Sequence, residues 1–300
     1  MAIADDIRTQ WRTGGAVKRL LFINLGVFLA VHAVGLIAWG AGGGSYDDRV
    51  LRWLMATNDW PALLRRPWTV VTYMFTHFDP FHLFWNMLMF WFSGRLFEDL
   101  LGAKRMTGMY LLGGLAGFAF YALATLMPAH MGLGGTSMIL GASAAVMAVF
   151  IGIATYHPDM EVGLLFIGGV RLKWVALVVF ALDLISIRQG GNTGGHLAHI
   201  GGAVYGYLSA TALKRGRGDW NMVFANALER IGDLFGGKKR TRLRVEKRPV
   251  RRGVLADVDF NSAKRDKQAR VDAILDKISR SGYDSLSKEE RDFLFHASKD

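Results

Sequence analysis

The 300-residue chain carries 36 Lys and Arg against 25 Asp and Glu, a formal net charge of +11, and no cysteine, so disulfides, thiolate metal sites and a thiol nucleophile are all excluded. Just over half of the residues are hydrophobic (51%, mean hydropathy +0.22), and they are bunched into long runs instead of being spread along the chain. That bunching excludes an ordinary soluble domain and points to a membrane protein.

Most of the basic excess follows residue 214, directly after the last apolar run. A basic segment in that position meets anionic lipid, so no nucleic-acid partner is expected. Residues 1–19, with Arg8, Arg12, Lys18 and Arg19 and with Ile3, Ile7 and Trp11 spaced by four, read as a cytoplasmic, interfacial lead-in. The first apolar run, about 20–41, is too long for a signal-peptide core and leads into no cleavage site, so it reads as a retained span. Its one titratable residue, His32, reads as a hydrogen-bonded structural group.

A loop over about 42–68 opens with Gly42, Gly43, Gly44 and Ser45 and contains Trp53, Trp60 and Trp68 among polar residues, a composition that favours the headgroup layer. The second span begins near Trp68 or, as a regular helix, nearer Phe81, and runs to about Phe97. His82 and Asn86 lie one turn apart on it and share a face. They either hold the bundle together by hydrogen bonds or donate to a developing oxyanion. Gly94 to Glu98 and Gly102, before Lys104 and Arg105, read as a short basic connection in which Glu98 ties loop backbone.

The third span, about 106–127, carries Gly108, Gly113, Gly114 and Gly117, which suit close helix approach, and Pro128 ends it. After a linker at 129–137 containing His130, the fourth span covers about 138–155. Ser143 lies near its outer end, flanked by Gly141, Ala142 and Ala144, so another helix can approach its hydroxyl; Ser137 reads as the helix N-cap. A polar break at His157, Pro158, Asp159 and Glu161 leads to a fifth span ending near Ile187. Asp183 inside it is costly in lipid and must face protein or water, with helix-end hydrogen bonding as its first reading and a catalytic triad as its second.

The loop from Gln189 to Gly195 opens the sixth span, about 195–213, where His199, Gly202 and Gly206 fall at i, i+3 and i+7, so that the imidazole heads a glycine groove. Basic residues gather at the N-terminus, in the 2–3 and 4–5 turns and in the tail, which places both termini in the cytoplasm. The first loop is the exception, mixing Arg49, Arg52, Arg65 and Arg66 with Asp47, Asp48 and Asp59. In the tail, residues 219–235 set Trp220, Val223, Phe224, Ala227, Leu228, Ile231, Leu234 and Phe235 on one helical face, 236–252 form a basic linker, and 262–299 read as a helical hairpin with Gly282 as a stop and a capping box from Ser287 to Glu290.

Three motifs in this order on apolar segments, His82 with Asn86, the Gly-x-Ser run ending at Ser143, and Ala198-His199 followed by Gly202 and Gly206, resemble the rhomboid family of intramembrane serine proteases. The resemblance covers roughly residues 15–215. It implies an all-α membrane fold, a six-transmembrane-helix bundle with a short helical cytoplasmic tail, in a bacterial inner membrane. It also implies Ser143 as nucleophile, His199 as its base, and His82, Asn86 and the Ser143 N–H as oxyanion donors. No cofactor and no metal are implied. The expected partners are membrane-anchored protein substrates, the bilayer with anionic lipid at the basic tail, and a cytoplasmic partner for the hairpin. The expected divisions are a lead-in at 1–19, the core at 20–213, the amphipathic helix and linker at 214–260, and the hairpin at 261–300.

Ala144 stands where the family often has glycine; a methyl group there can narrow the cavity or shift the oxyanion donor slightly, and it reads as a tolerated variation that leaves room for altered specificity or a weakened enzyme. Two rival readings are a non-catalytic relative that binds transmembrane helices and a metalloprotein using His196 and His199 with His77 and His82. Against the second stand the absence of an H-E-x-x-H motif and of cysteine.

Overall fold

The computed structural model describes residues 2–42, 47–123, 137–164, 168–187, 192–236 and 253–297. The chain divides into two compact units, Met1–Gly237 and Lys238–Asp300. The first is a helical membrane bundle. It opens with α1 (Ala2–Thr13) and α2 (Ala16–Gly40), followed in the first loop by α3 (Asp47–Leu54), β1 (Ala56–Thr57), α4 (Trp60–Arg65) and α5 (Thr69–Thr72). The long α6 (Pro80–Leu101) and α7 (Ala103–Leu123) come next, then β2 (Met138–Ile139) and α8 (Ser143–Tyr156). A hairpin of β3 (Glu161–Leu164) and β4 (Gly168–Arg171) precedes α9 (Leu172–Ser186), α10 (Thr193–Lys214) and α11 (Trp220–Gly236). Among the described residues, α2 and α7 are each long and apolar enough to cross a membrane.

The bundle is organised around α8. Most of its residues are buried, from Ala144 and Ala145 through Val149 and Phe150 to Ile153, and none is exposed, with α6, α7, α9 and α10 packed about it. At 1.5 Å per residue its 14 residues span about 21 Å, short of a hydrocarbon core of about 30 Å. By contrast α9 buries only Leu172 and Ala176 and turns Trp174, Leu177, Val178, Leu182 and Ile185 outward, and α2 likewise exposes Leu29, Leu36, Ile37 and Trp39, as lipid-facing helices do.

Small residues set the spacing. A Cβ on Gly202 or Gly206 would overlap the carbonyl oxygens of Ala144 and Ala148, one on Gly113 would overlap the Ala148 Cβ, and one on Gly117 would lie 2.6 Å from the Ala144 Cβ. These glycines let α7 and α10 close on α8 from two sides, as their spacing in the sequence predicts. Buried hydroxyls supply the polar fastening: Tyr73 donates to the Gly114 carbonyl at 2.6 Å and Tyr110 to the Met74 carbonyl at 2.9 Å. Glu98 ties backbone as expected, since its carboxylate accepts from the Ala16 and Val17 amides at 2.7 and 3.0 Å. It thereby caps the first turn of α2 and complements the positive end of that helix.

Several boundaries differ from the sequence reading. Gly94 to Glu98 are not a connection; α6 runs through them to Leu101, and the turn is Gly102 alone, at φ +88°. Ser137 is not a helix cap. Its amide donates to Asn58 Oδ1 at 2.8 Å and its carbonyl accepts from Tyr121 at 2.6 Å, because residues 138–139 pair with Ala56–Thr57 as an antiparallel strand and the fourth helix starts only at Ser143. The β3–β4 hairpin was not anticipated at all. The expected readings of Gly43, Gly44, Ser45, Pro128, His130, Gln189 and the basic linker lie outside the described residues.

The second unit consists of α12 (Gly253–Ser281) and α13 (Lys288–Ala297). Gly282 ends α12 at φ +78°. The capping box is formed as read: the Ser287 amide donates to Glu290 Oε2 at 2.7 Å and the Glu290 amide to Ser287 Oγ at 3.2 Å. Ile274 and Leu286 are buried between the helices, Lys277 pairs with Glu290 at 2.9 Å, and Arg270 lies over the Phe293 ring.

Candidate active site

Ser143 is the first residue of α8, and the turn before it is held from both sides. The Gly141 amide donates to the Tyr73 carbonyl at 2.9 Å, and the Ala142 amide donates to His77 Nε2 at 3.2 Å. Gly141 itself sits at φ +117°, where a side chain is strained. A helix start leaves its first amides without intrahelical acceptors and carries the positive end of the dipole, so an anion formed beside Ser143 Oγ meets N–H groups already aimed at it.

His199 comes from the first turns of α10, whose N-terminus is capped by the Asn192 side chain accepting from the Gly195 amide at 3.2 Å. Its Nε2 lies 2.6 Å from Ser143 Oγ. Its Nδ1 lies 2.7 Å from Asp183 Oδ1 on α9. With the proton on Nδ1 donated to Asp183, Nε2 presents its lone pair to the serine hydroxyl. His196 Nδ1 also meets Asp183 Oδ1 at 2.7 Å, while Asp183 Oδ2 is buried without a hydrogen-bond partner.

His82 and Asn86 stand on the first turns of α6, capped by Asp79 accepting from the His82 amide at 2.6 Å. A Cβ built on Gly141 would lie 2.8 Å from His82 Cε1 and 3.7 Å from Ser143 Oγ, so the His82 ring flanks the serine hydroxyl across the glycine. Asn86 is buried and gives one amide N–H to the His82 carbonyl at 2.9 Å, leaving its second for another acceptor.

These four residues face one cavity of about 320 Å³ among α6, α8, α9 and α10. Its polar lining is His82, Asn86, Ser143, Asn192 and His199, and Trp85, Met147, Phe150 and Val179 complete it with apolar surface. Ala144 is not part of that lining; its methyl group points to Gly117, so it does not narrow the cavity. Sequence reasoning put Asp183 at a helix-end hydrogen bond first, and the structure instead sets its carboxylate on both α10 histidines. It passed over His77 as an anchor of the serine turn and Asn192 as cap and cavity wall. The four histidines of the metal reading do not form one group: among the described residues His196 and His199 meet Asp183, while His77 and His82 form a separate ring pair at 5.2 Å.

Residues 64–216 match the family model of the Rhomboid domain, and residues 256–300 match a family of unknown function, DUF6576. The chain is similar to the Danio rerio presenilin-associated rhomboid-like protein A, mitochondrial (31% identical over 153 residues, 49% of this chain and 37% of that protein). It is similar also to the Arabidopsis thaliana RHOMBOID-like protein 12, mitochondrial (27% over 158 residues, 50% and 47%), and to the Saccharomyces cerevisiae Rhomboid protein 1, mitochondrial (28% over 144 residues, 47% and 40%). The chain thus spans less than half the length of these curated relatives.

Proposed function

The chain belongs to the rhomboid family of multi-pass membrane proteins, and we propose that it is an active intramembrane serine endopeptidase that cleaves membrane-anchored proteins in or near their spanning helix. The observation that carries this reading is the 2.6 Å approach of His199 Nε2 to Ser143 Oγ at the wall of a cavity submerged in the bundle.

In this mechanism His199 Nε2 takes the hydroxyl proton as Ser143 Oγ attacks the scissile carbonyl carbon. The negative charge then develops on the former carbonyl oxygen beside the start of α8, where the Ser143 amide, the free N–H of Asn86 and the His82 ring stabilise it. His199 passes its proton to the leaving amine, and a water entering the cavity repeats the sequence in reverse on the acyl-enzyme. Asp183 keeps His199 in the tautomer with Nε2 unprotonated and offsets the charge of the imidazolium. No step requires a cofactor.

By the same reading, six helices cross a bacterial inner membrane with both termini on the cytoplasmic side, where the basic connections lie. Substrates are single-span proteins whose helix unwinds readily near the outer surface. The hairpin takes a cytoplasmic partner, and the basic tail lies on anionic lipid. The test is labelling by a fluorophosphonate probe of wild type and Ser143→Ala in detergent: labelling of wild type alone is expected, and equal labelling of both, or of neither, overturns the assignment.

A further inference from the structure

Two histidines and a carboxylate meet behind the catalytic pair. The ligand atoms of Asp183, His196 and His199 all lie within 4.8 Å of one another, and both Nδ1 atoms contact the same carboxylate oxygen at 2.7 Å. That oxygen accepts two hydrogen bonds while its neighbour, Asp183 Oδ2, is buried and has none. The side chains are 17%, 16% and 9% exposed for His196, His199 and Asp183, so the group is largely shielded. Both hydrogen bonds thus fall on one carboxylate oxygen, and the lone pairs of its buried neighbour are left without a partner. A cation among them would engage all three.

We propose that Asp183, His196 and His199 form an inhibitory site for a divalent transition-metal ion, Zn²⁺ by donor set, that silences the serine by trapping the wrong tautomer of its base. Two imidazole nitrogens and a carboxylate with one open position suit Zn²⁺, whose bonds of about 2.0–2.2 Å keep ligand atoms about 3.4 Å apart. The present atoms reach that spacing with side-chain adjustments alone, because α9 and α10 already bring them together.

The consequence for His199 follows from proton bookkeeping. In the metal-free site its single ring proton sits on Nδ1 and is donated to Asp183, and the Nε2 lone pair faces Ser143. A metal on Nδ1 uses that nitrogen's lone pair, so in the neutral ring the proton resides on Nε2. The ring then donates to Ser143 Oγ and can no longer take its proton. His196 undergoes the same proton shift, no proton is released overall, and no bond to carbon changes. Inhibition therefore arises without blocking the cavity, and it requires His196, which makes no contact with Ser143.

The inhibitory half of this inference rests on the serine-protease reading; the binding half does not, and the experiment separates them. Tag-free, chelator-washed full-length protein in detergent is titrated with Co²⁺, followed by its visible absorption bands, and Zn²⁺ is used to displace it. One ion per chain is expected in wild type and in Ser143→Ala, with the bands lost in His196→Ala, His196→Asn and Asp183→Ala; melting curves establish that each variant is folded. In parallel, Zn²⁺ should suppress cleavage of a single-span substrate and a chelator should restore it. His196→Asn, normalised to its own metal-free rate, should require at least tenfold more Zn²⁺ for half-inhibition. Absent Co²⁺ bands in wild type, or bands or Zn²⁺ sensitivity that persist unchanged in folded His196→Asn, overturn the site. Bands that track His196 and Asp183 in a protein with no metal-free activity uphold the site and overturn the protease.

Discussion

Gly202 lies so close to the Ala144 carbonyl that a single methyl group between them would overlap the oxygen. The contact joins the residue after Ser143 to the residue three after His199, so the gap between α8 and α10 and the distance from Ser143 to His199 are coupled. Gly202→Ala should push the helices apart, lowering stability by about 1–3 kcal/mol as overpacking does, and should reduce cleavage by a larger factor than it lowers the melting temperature would suggest. A thermal melt and a rate on the same preparation check this. Unchanged activity would show that the helix gap does not govern the dyad.

A base without its nucleophile and a nucleophile without its base are both nearly idle. Ser143→Ala, His199→Ala and the double variant should therefore share one negligible rate on a single-span substrate in liposomes. Asn86→Ala removes one of the proposed oxyanion donors and should cost on the order of 10²–10³ in rate. A double variant markedly slower than either single one would mean that the two do not act as a unit.

Asp183 binds His199 through one oxygen, which an asparagine can imitate only by turning its amide correctly. Asp183→Asn should lower kcat by at least about 10²-fold, toward the ~10⁴ that follows amidation of a triad carboxylate, with KM little changed. Retention of most activity would reduce the site to a plain Ser143–His199 pair.

In the second unit, the Glu290 carboxyl is held below its ordinary value by the hydrogen bond from Lys277 and then by the Ser287 amide. A lowered folded-state value means that its stabilisation is present above the unfolded carboxyl range of about 4.3 and is lost as pH falls through the folded value. Hydrogen-exchange protection factors over residues 268–297 of the whole protein, with the pH dependence of intrinsic exchange divided out, should thus fall on acidification below that range, and Glu290→Gln should show lower protection at neutral pH with less acid dependence. A variant indistinguishable from wild type would remove the capping box as the hairpin's fastening.

The amphipathic helix α11 packs by its less apolar side. Asn221 is buried and bonded to Tyr205 and Ser209, Arg105 pairs with Asp219 at 2.6 Å and Lys104 with Glu229 at 2.7 Å. Val223, Ile231 and Leu234 are left exposed, so this apolar face is expected to lie in the cytoplasmic leaflet. As the chain has no cysteine, a spin label at Val223→Cys reports alone: relaxation by oxygen over a water-soluble nickel complex is expected in liposomes, and the reverse would place the face in water.

What could be read from the sequence was what depends on regular spacing. The glycines of α7 and α10, the shared face of His82 and Asn86, and the Ser287 to Glu290 box all follow from helical periodicity and short-range chemistry. Pairings across long sequence separation did not follow. Nothing local marks Asn58 as the partner of Ser137, and a two-residue strand inside an apolar run is indistinguishable from the start of a helix. Asp183 was visible as costly, but its thirteen- and sixteen-residue separations from His196 and His199 cross a helix boundary, where periodicity stops predicting facing.

The strand pair β1–β2 gives the outer loop a grip on the chemistry. Thr57 is registered with Met138, and Asn58 holds Ser137, six residues ahead of the nucleophile. A ladder of two residues per strand is a shallow fastening that opens at small cost compared with the helices around it. The first loop and the turn ahead of Ser143 are therefore two ends of one short lever. On the protease reading proposed above, a substrate helix leaning on α3 and α4 would act on that lever without touching the cavity.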